Sequence, residues 1–82
     1  MNWYKLAQLS PLKAREIKRI LKNLGFNFVR ITSGGHETWK HPDGRVTTVT
    51  EAHRGKDMPI GTLRNIVRQV QVPPREFMQA RR

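Results

Sequence analysis

GFNFVRITSGGHETWKHPDGRVTTVT, residues 25–50, decides the fold. It contains three short runs, Phe26 to Ile31, His36 to His41 and Arg45 to Thr50, each rich in the aromatic and β-branched side chains that suit a pleated, half-buried surface. Gly34-Gly35 separates the first two and Pro42-Asp43-Gly44 the last two. Glycine opens the left-handed region, proline presets φ, and aspartate bonds its own backbone, so both separators read as turns. Connections this short leave neighbouring strands only an antiparallel arrangement, which predicts a three-stranded meander.

Outward from the meander the period changes from two to 3.6. On the N-terminal side, Ser10-Pro11 predicts a helix start, with serine as N-cap and proline at the first helical position. Ile17, Ile20, Leu21 and Leu24 then fall at i, i+3, i+4 and i+7, while Lys13, Arg15, Lys18, Arg19 and Lys22 take the other faces, and Gly25 is the expected C-cap. On the C-terminal side, a loop from Glu51 to Pro59 precedes the same spacing at Leu63, Ile66, Val67 and Val70, which predicts a second amphipathic helix through about Val70. Pro73-Pro74 is expected to stop that helix, residues 75–80 to form a short turn packing Phe77 or Met78, and Arg81-Arg82 to fray. The order α-β-β-β-α predicts an α+β fold like that of double-stranded-RNA-binding domains, with both helices on one face of a three-stranded antiparallel sheet.

An 82-residue chain has room for a single domain and a modest core, expected here as one unit over residues 1–82 with an N-terminal extension (1–9) and a C-terminal turn and tail (73–82). Sixteen Lys and Arg against six Asp and Glu give a formal charge of +10, more than a fold requires and suited to a polyanion such as nucleic acid. No stretch approaches the roughly 20 apolar residues of a spanning helix, and the N-terminus has no apolar signal-peptide core. The absence of cysteine removes disulfide scaffolds, thiol catalysis and Cys-based zinc sites. A cytoplasmic location is the expectation.

Gly25-Phe26, Val29-Arg30, Gly34-Gly35-His36-Glu37-Thr38-Trp39 and His41-Pro42-Asp43-Gly44-Arg45 together resemble the HicA toxin pattern, a glycine-small-histidine turn followed by an HPDG-like hairpin. Val49 to His53, Lys56 and the run Gly61-Thr62-Leu63-Arg64-Asn65-Ile66-Val67-Arg68-Gln69 resemble the family's later helix, so that the likeness spans roughly Leu12 to Met78. The resemblance implies a toxin of a bacterial or archaeal toxin–antitoxin pair. It implies a ribonuclease that cleaves messenger RNA without metal or other cofactor, with His36 in the catalytic position, silenced by a HicB antitoxin. Relatives often carry serine where Gly35 stands, so a hydroxyl that can bond the histidine or a phosphate is missing here. Residues 1–9, with Trp3 and Tyr4, have no counterpart in the pattern. A monomer when free and a hetero-oligomer with the antitoxin are expected.

Read as chemistry, the same residues are compatible with that implication. Cleaving RNA without metal requires taking a proton from a 2′-hydroxyl, stabilising a crowded phosphorane and returning a proton to the leaving 5′-oxygen, and imidazole titrates near enough to neutrality to do either transfer. His36 opens a strand directly after Gly34 and Gly35, whose missing side chains let a phosphate approach the backbone. Without the resemblance, a surface histidine that happens to begin a strand is the commoner meaning. His41 stands at an odd separation from His36 and is expected on the other face, as a hairpin residue. His53, in the loop before the second helix, is either a general acid or RNA contact or a loop-shaping residue.

Lys40, Arg45, Arg64 and Arg68 are the phosphate-contact candidates, with Arg30 a weaker one, against the commoner reading of solvated cations. Trp39 is expected in the core, and Gly61-Thr62 is read as a helix cap rather than an anion site. Three histidines without cysteine or a close acidic pair predict no metal site. The competing functions are a non-catalytic double-stranded-RNA-binding module, in which His36 is dispensable, and an interaction protein whose charge serves only an acidic partner.

Overall fold

A computed structural model describes residues 9–51 and 55–82. The elements run α1 (Ala14–Asn23), β1 (Asn27–Thr32), β2 (His36–Lys40), β3 (Val46–Thr50), α2 (Ile60–Val70) and α3 (Pro74–Gln79). The three strands form one antiparallel sheet in the order β1-β2-β3. The α+β meander with helices on one face is therefore the observed architecture. His53 and residues 1–8, including Trp3 and Tyr4, lie outside the described residues.

The helix face of the sheet contributes Trp39, Thr47 and Val49 to the interior, alternating with exposed residues as the period of two requires. Ile17, Ile20 and Leu21 of α1 and Leu63, Ile66, Val67 and Val70 of α2 close over them, joined by Phe26 and by Phe77 of α3. Most of these side chains are fully buried, each contributing about 1.5–3 kcal/mol relative to exposure. Both long helices pack against β3, which among the described residues leaves the helix side of β1 uncovered.

Four local expectations are corrected. First, α1 does not begin at Ser10-Pro11. Leu12 is buried in extended chain, its carbonyl accepts Met58 N–H at 2.7 Å, and Lys13 bridges to Asp57, so tertiary pairing holds residues 12 and 13 out of the helix. Lys13 becomes the N-cap, and the Glu16 carboxylate reaches back to its N–H at 2.9 Å. Second, Gly61-Thr62 is not a cap. α2 starts one residue earlier with Pro59 as N-cap and no side-chain capping bond. Third, α2 ends at Val70, where its spacing predicts, but the stop is Gln71 as C-cap in the left-handed conformation at φ 62 rather than Pro73-Pro74. Pro74 instead opens α3, where its fixed φ fits the first turn. Fourth, the C-terminal arginines are tied down: Asn23 Nδ2 donates to the carbonyls of Ala80, at 2.8 Å, and Arg82.

Candidate functional site

The Gly34-Gly35 turn joins β1 to β2 with positive φ at both glycines, 89° and 77°. Gly35 N–H donates to the Thr32 carbonyl at 3.1 Å, and the Gly35 carbonyl accepts Glu51 N–H at 3.0 Å, so the end of β3 pins the turn. His36 follows at once, opposite Thr32 on β1 and Thr50 on β3. Because Trp39 faces the core, the even positions His36, Thr38 and Lys40 face away from the helices, and directly opposed residues share that side. His36 is exposed there. Its ring folds back over Gly34, where an added Cβ would stand 3.4 Å from Cδ2.

The open face around His36 is thus built from Arg30, Thr32, Thr38, Lys40, Thr48 and Thr50. Lys40 lies on it about 13 Å further along β2. Arg30 is opposite Thr38, one diagonal step from His36, because a bulge between Phe28 and Arg30 resets the alternation of β1. The threonines of β3 show period-two spacing in the sequence, but which residue each faces depends on register.

Behind this face, on the helix side, an ion network holds the strand that carries His36. Lys18 Nζ of α1 meets Glu37 Oε2 at 3.1 Å and Glu51 Oε2 at 3.0 Å, while Trp39 Nε1 donates to Glu37 Oε1 at 3.1 Å. Burial pulls the Lys18 ammonium down, but its bonds to Glu51 and Glu37 and their charges outweigh that, and its pKa is raised. One lysine therefore fixes both the residue after His36 and the residue that pins Gly35.

The remaining candidates lie apart from His36. Arg45 sits at the other end of the sheet, with Nε on Asp43 at 2.9 Å, Nη1 on the Val70 carbonyl and its guanidinium 5.3 Å from the Phe26 ring centroid. Its bonds to Asp43 depress that carboxyl below its ordinary pKa. His41 packs edge-on to Phe26 at 5.2 Å, and its Nδ1 accepts Asp43 N–H at 3.1 Å, an anchoring role in the hairpin. Arg64 and Arg68 stand on α2, across the sheet from the open face. Arg68 bonds Asn65 at 3.2 Å, while Arg64 Nε is buried without a hydrogen-bond partner. Among the described residues no group of three His, Cys, Asp or Glu could hold a metal ion. No described helix is long and apolar enough to cross a membrane.

Set against known families, residues 14–72 match the model of the HicA toxin of bacterial toxin–antitoxin systems. The chain belongs to the HicA toxin family. The match runs from the first residue of α1 to just past α2 and includes the whole sheet. Membership makes the chain the toxin half of a toxin–antitoxin pair, with an antitoxin as its partner. Among curated proteins, none matches the chain.

Proposed function

We propose that this HicA-family toxin is a metal-independent endoribonuclease that cleaves messenger RNA with His36 as general base and is neutralised by a HicB-type antitoxin. The observation that carries the reading is the exposed imidazole of His36, set by paired strands at the lip of a side-chain-free Gly34-Gly35 turn on a polar sheet face. In the reaction His36 takes the 2′-hydroxyl proton. The 2′-oxygen attacks phosphorus, and the 5′-oxygen leaves with a proton from a general acid, a role for which His53 is the candidate in the sequence. Gly34 and Gly35 allow the phosphate to approach the backbone, and Arg30 and Lys40 supply positive charge on the same face as His36. Arg64 and Arg68, on the helix side, serve more distant phosphates, while Arg45, bonded to Asp43 and the Val70 carbonyl, anchors the hairpin. The fixed platform of Lys18, Glu37 and Glu51 supports the geometry, since a base acts only when held within hydrogen-bond reach of its proton.

The test compares the purified chain with His36→Ala on a defined messenger RNA in EDTA. The expected result is cleavage by the first and a rate lower by about 10²–10⁴-fold for the second. Equal binding without cleavage by either protein would instead make the chain an RNA-binding module.

A further inference from the structure

The uncovered helix side of β1 forms the floor of a groove of about 480 Å³, walled by Arg15, Lys18, Arg19 and Lys22 of α1 and floored by Phe28, Trp39 and Glu37. Three observations about it converge. Arg15, Arg19 and Lys22 fall at i, i+4 and i+7, one stripe of α1, and none of them is paired with a carboxylate among the described residues. The bulge places Phe28 and Ile31 on the same side of β1 despite their odd separation, opposite Trp39 and Glu37, and they are 50% and 55% exposed. β1 is also an edge strand of six residues whose outer backbone groups have no neighbouring strand among the described residues. Proteins normally blunt such an edge with charge, proline or a covering element, because it is a template for pairing. Here Arg30 is the one charged residue on the strand, and apolar Phe28, Val29 and Ile31 are left in solvent.

We propose that the groove between α1 and β1 docks an extended, acidic segment of a partner protein, added to β1 as a fourth strand. The backbone edge supplies the ladder, Phe28 and Ile31 take apolar side chains, and the stripe of Arg15, Arg19 and Lys22 takes carboxylates. A second copy of this chain is a poor occupant, since it too carries +10 and would bring like charge to the stripe. Nucleic acid would satisfy the cations and stack on Phe28, but it offers neither a backbone ladder for the strand edge nor an apolar surface for Ile31. The groove opens on the side of the sheet away from His36, so its occupancy is separable from the nuclease reading.

The experiment is a titration of the isotope-labelled full chain, followed by amide NMR, with a peptide of about eight residues, enough to pair β1 along its length. The peptide carries glutamate and isoleucine on one face and threonine on the other. Its controls are the same peptide N-methylated at alternate residues and a single-stranded oligoribonucleotide of similar length. The expected result is shifts confined to β1 and the facing side of α1, with affinity lowered about tenfold or more both by N-methylation and by Arg19→Glu, an exposed site whose fold is checked by circular dichroism. Absence of peptide binding at β1, equal binding of the N-methylated peptide, or occupation of this groove by the oligoribonucleotide alone would each overturn the proposal.

Discussion

At Gly25 two constraints meet on one backbone position. Its φ is 94°, and an added Cβ would lie 2.9 Å from Nε2 of His41, whose ring is held by Phe26 and Asp43. Gly44 has a similar φ of 104° but open space around it. Alanine at Gly44 therefore meets only the left-handed backbone penalty, whereas alanine at Gly25 also displaces His41. Gly25→Ala is expected to cost about 1–3 kcal/mol, and more than Gly44→Ala. Chemical denaturation of both, with a Gly25→Ala/His41→Ala double mutant, checks this, and the double mutant should recover the excess. The same logic shows why His41 belongs to the hairpin and not to the candidate site.

At the scale of elements, α1 does more than bury an apolar stripe. Through Lys18 it clamps β2 at Glu37 and the end of β3 at Glu51. Lys18→Met is expected to lose about 1–2 kcal/mol, because two carboxylates then share the site without a counter-ion. The pH dependence follows from the raised pKa of Lys18. A lysine that holds its proton more tightly when folded contributes stability that is complete below its unfolded pKa, about 10.4, and is lost as pH rises through the higher folded value. Wild-type protein should thus lose stability above about pH 10 through this group, and Lys18→Met should show less of that alkaline fall. Denaturation midpoints across alkaline pH read the difference. Under the nuclease reading the variant should also lower kcat more than it weakens RNA binding, since it loosens the strand carrying His36.

For the whole molecule, charge and shape divide the surface into distinct regions. The open sheet face carries His36, Arg30 and Lys40 among threonines, and the α1 groove carries Arg15, Arg19 and Lys22, which have no carboxylate partner among the described residues, beside apolar β1. With a net charge of +10, RNA binding is expected to weaken steeply with salt, at a slope of about 0.7 in log affinity per log salt for each phosphate neutralised on a single strand. Lys40→Ala should reduce that slope by about one such increment. Arg45→Ala should act chiefly on stability, because its guanidinium bonds Asp43 and the Val70 carbonyl. Binding measured across a salt series, with thermal melts alongside, separates the two.

Local chemistry was enough to determine the element order, the two turns, the antiparallel sheet, Trp39 in the core and the family pattern around His36. Each depends on periodicity or on residues close in sequence, where steric and hydrogen-bonding preferences act without the rest of the chain. Tertiary structure alone decided where α1 begins, since Leu12 and Lys13 are drawn into pairing with Met58 and Asp57, more than forty positions away. It also decided that the bulge turns Phe28 and Ile31 to one side, that Lys18 joins Glu37 of β2 to Glu51 just past β3, and that Lys40 shares the His36 face while Arg45 is tied into the hairpin. Those outcomes depend on register and on which side chains a folded core brings together, and neither is encoded in the spacing of any single segment.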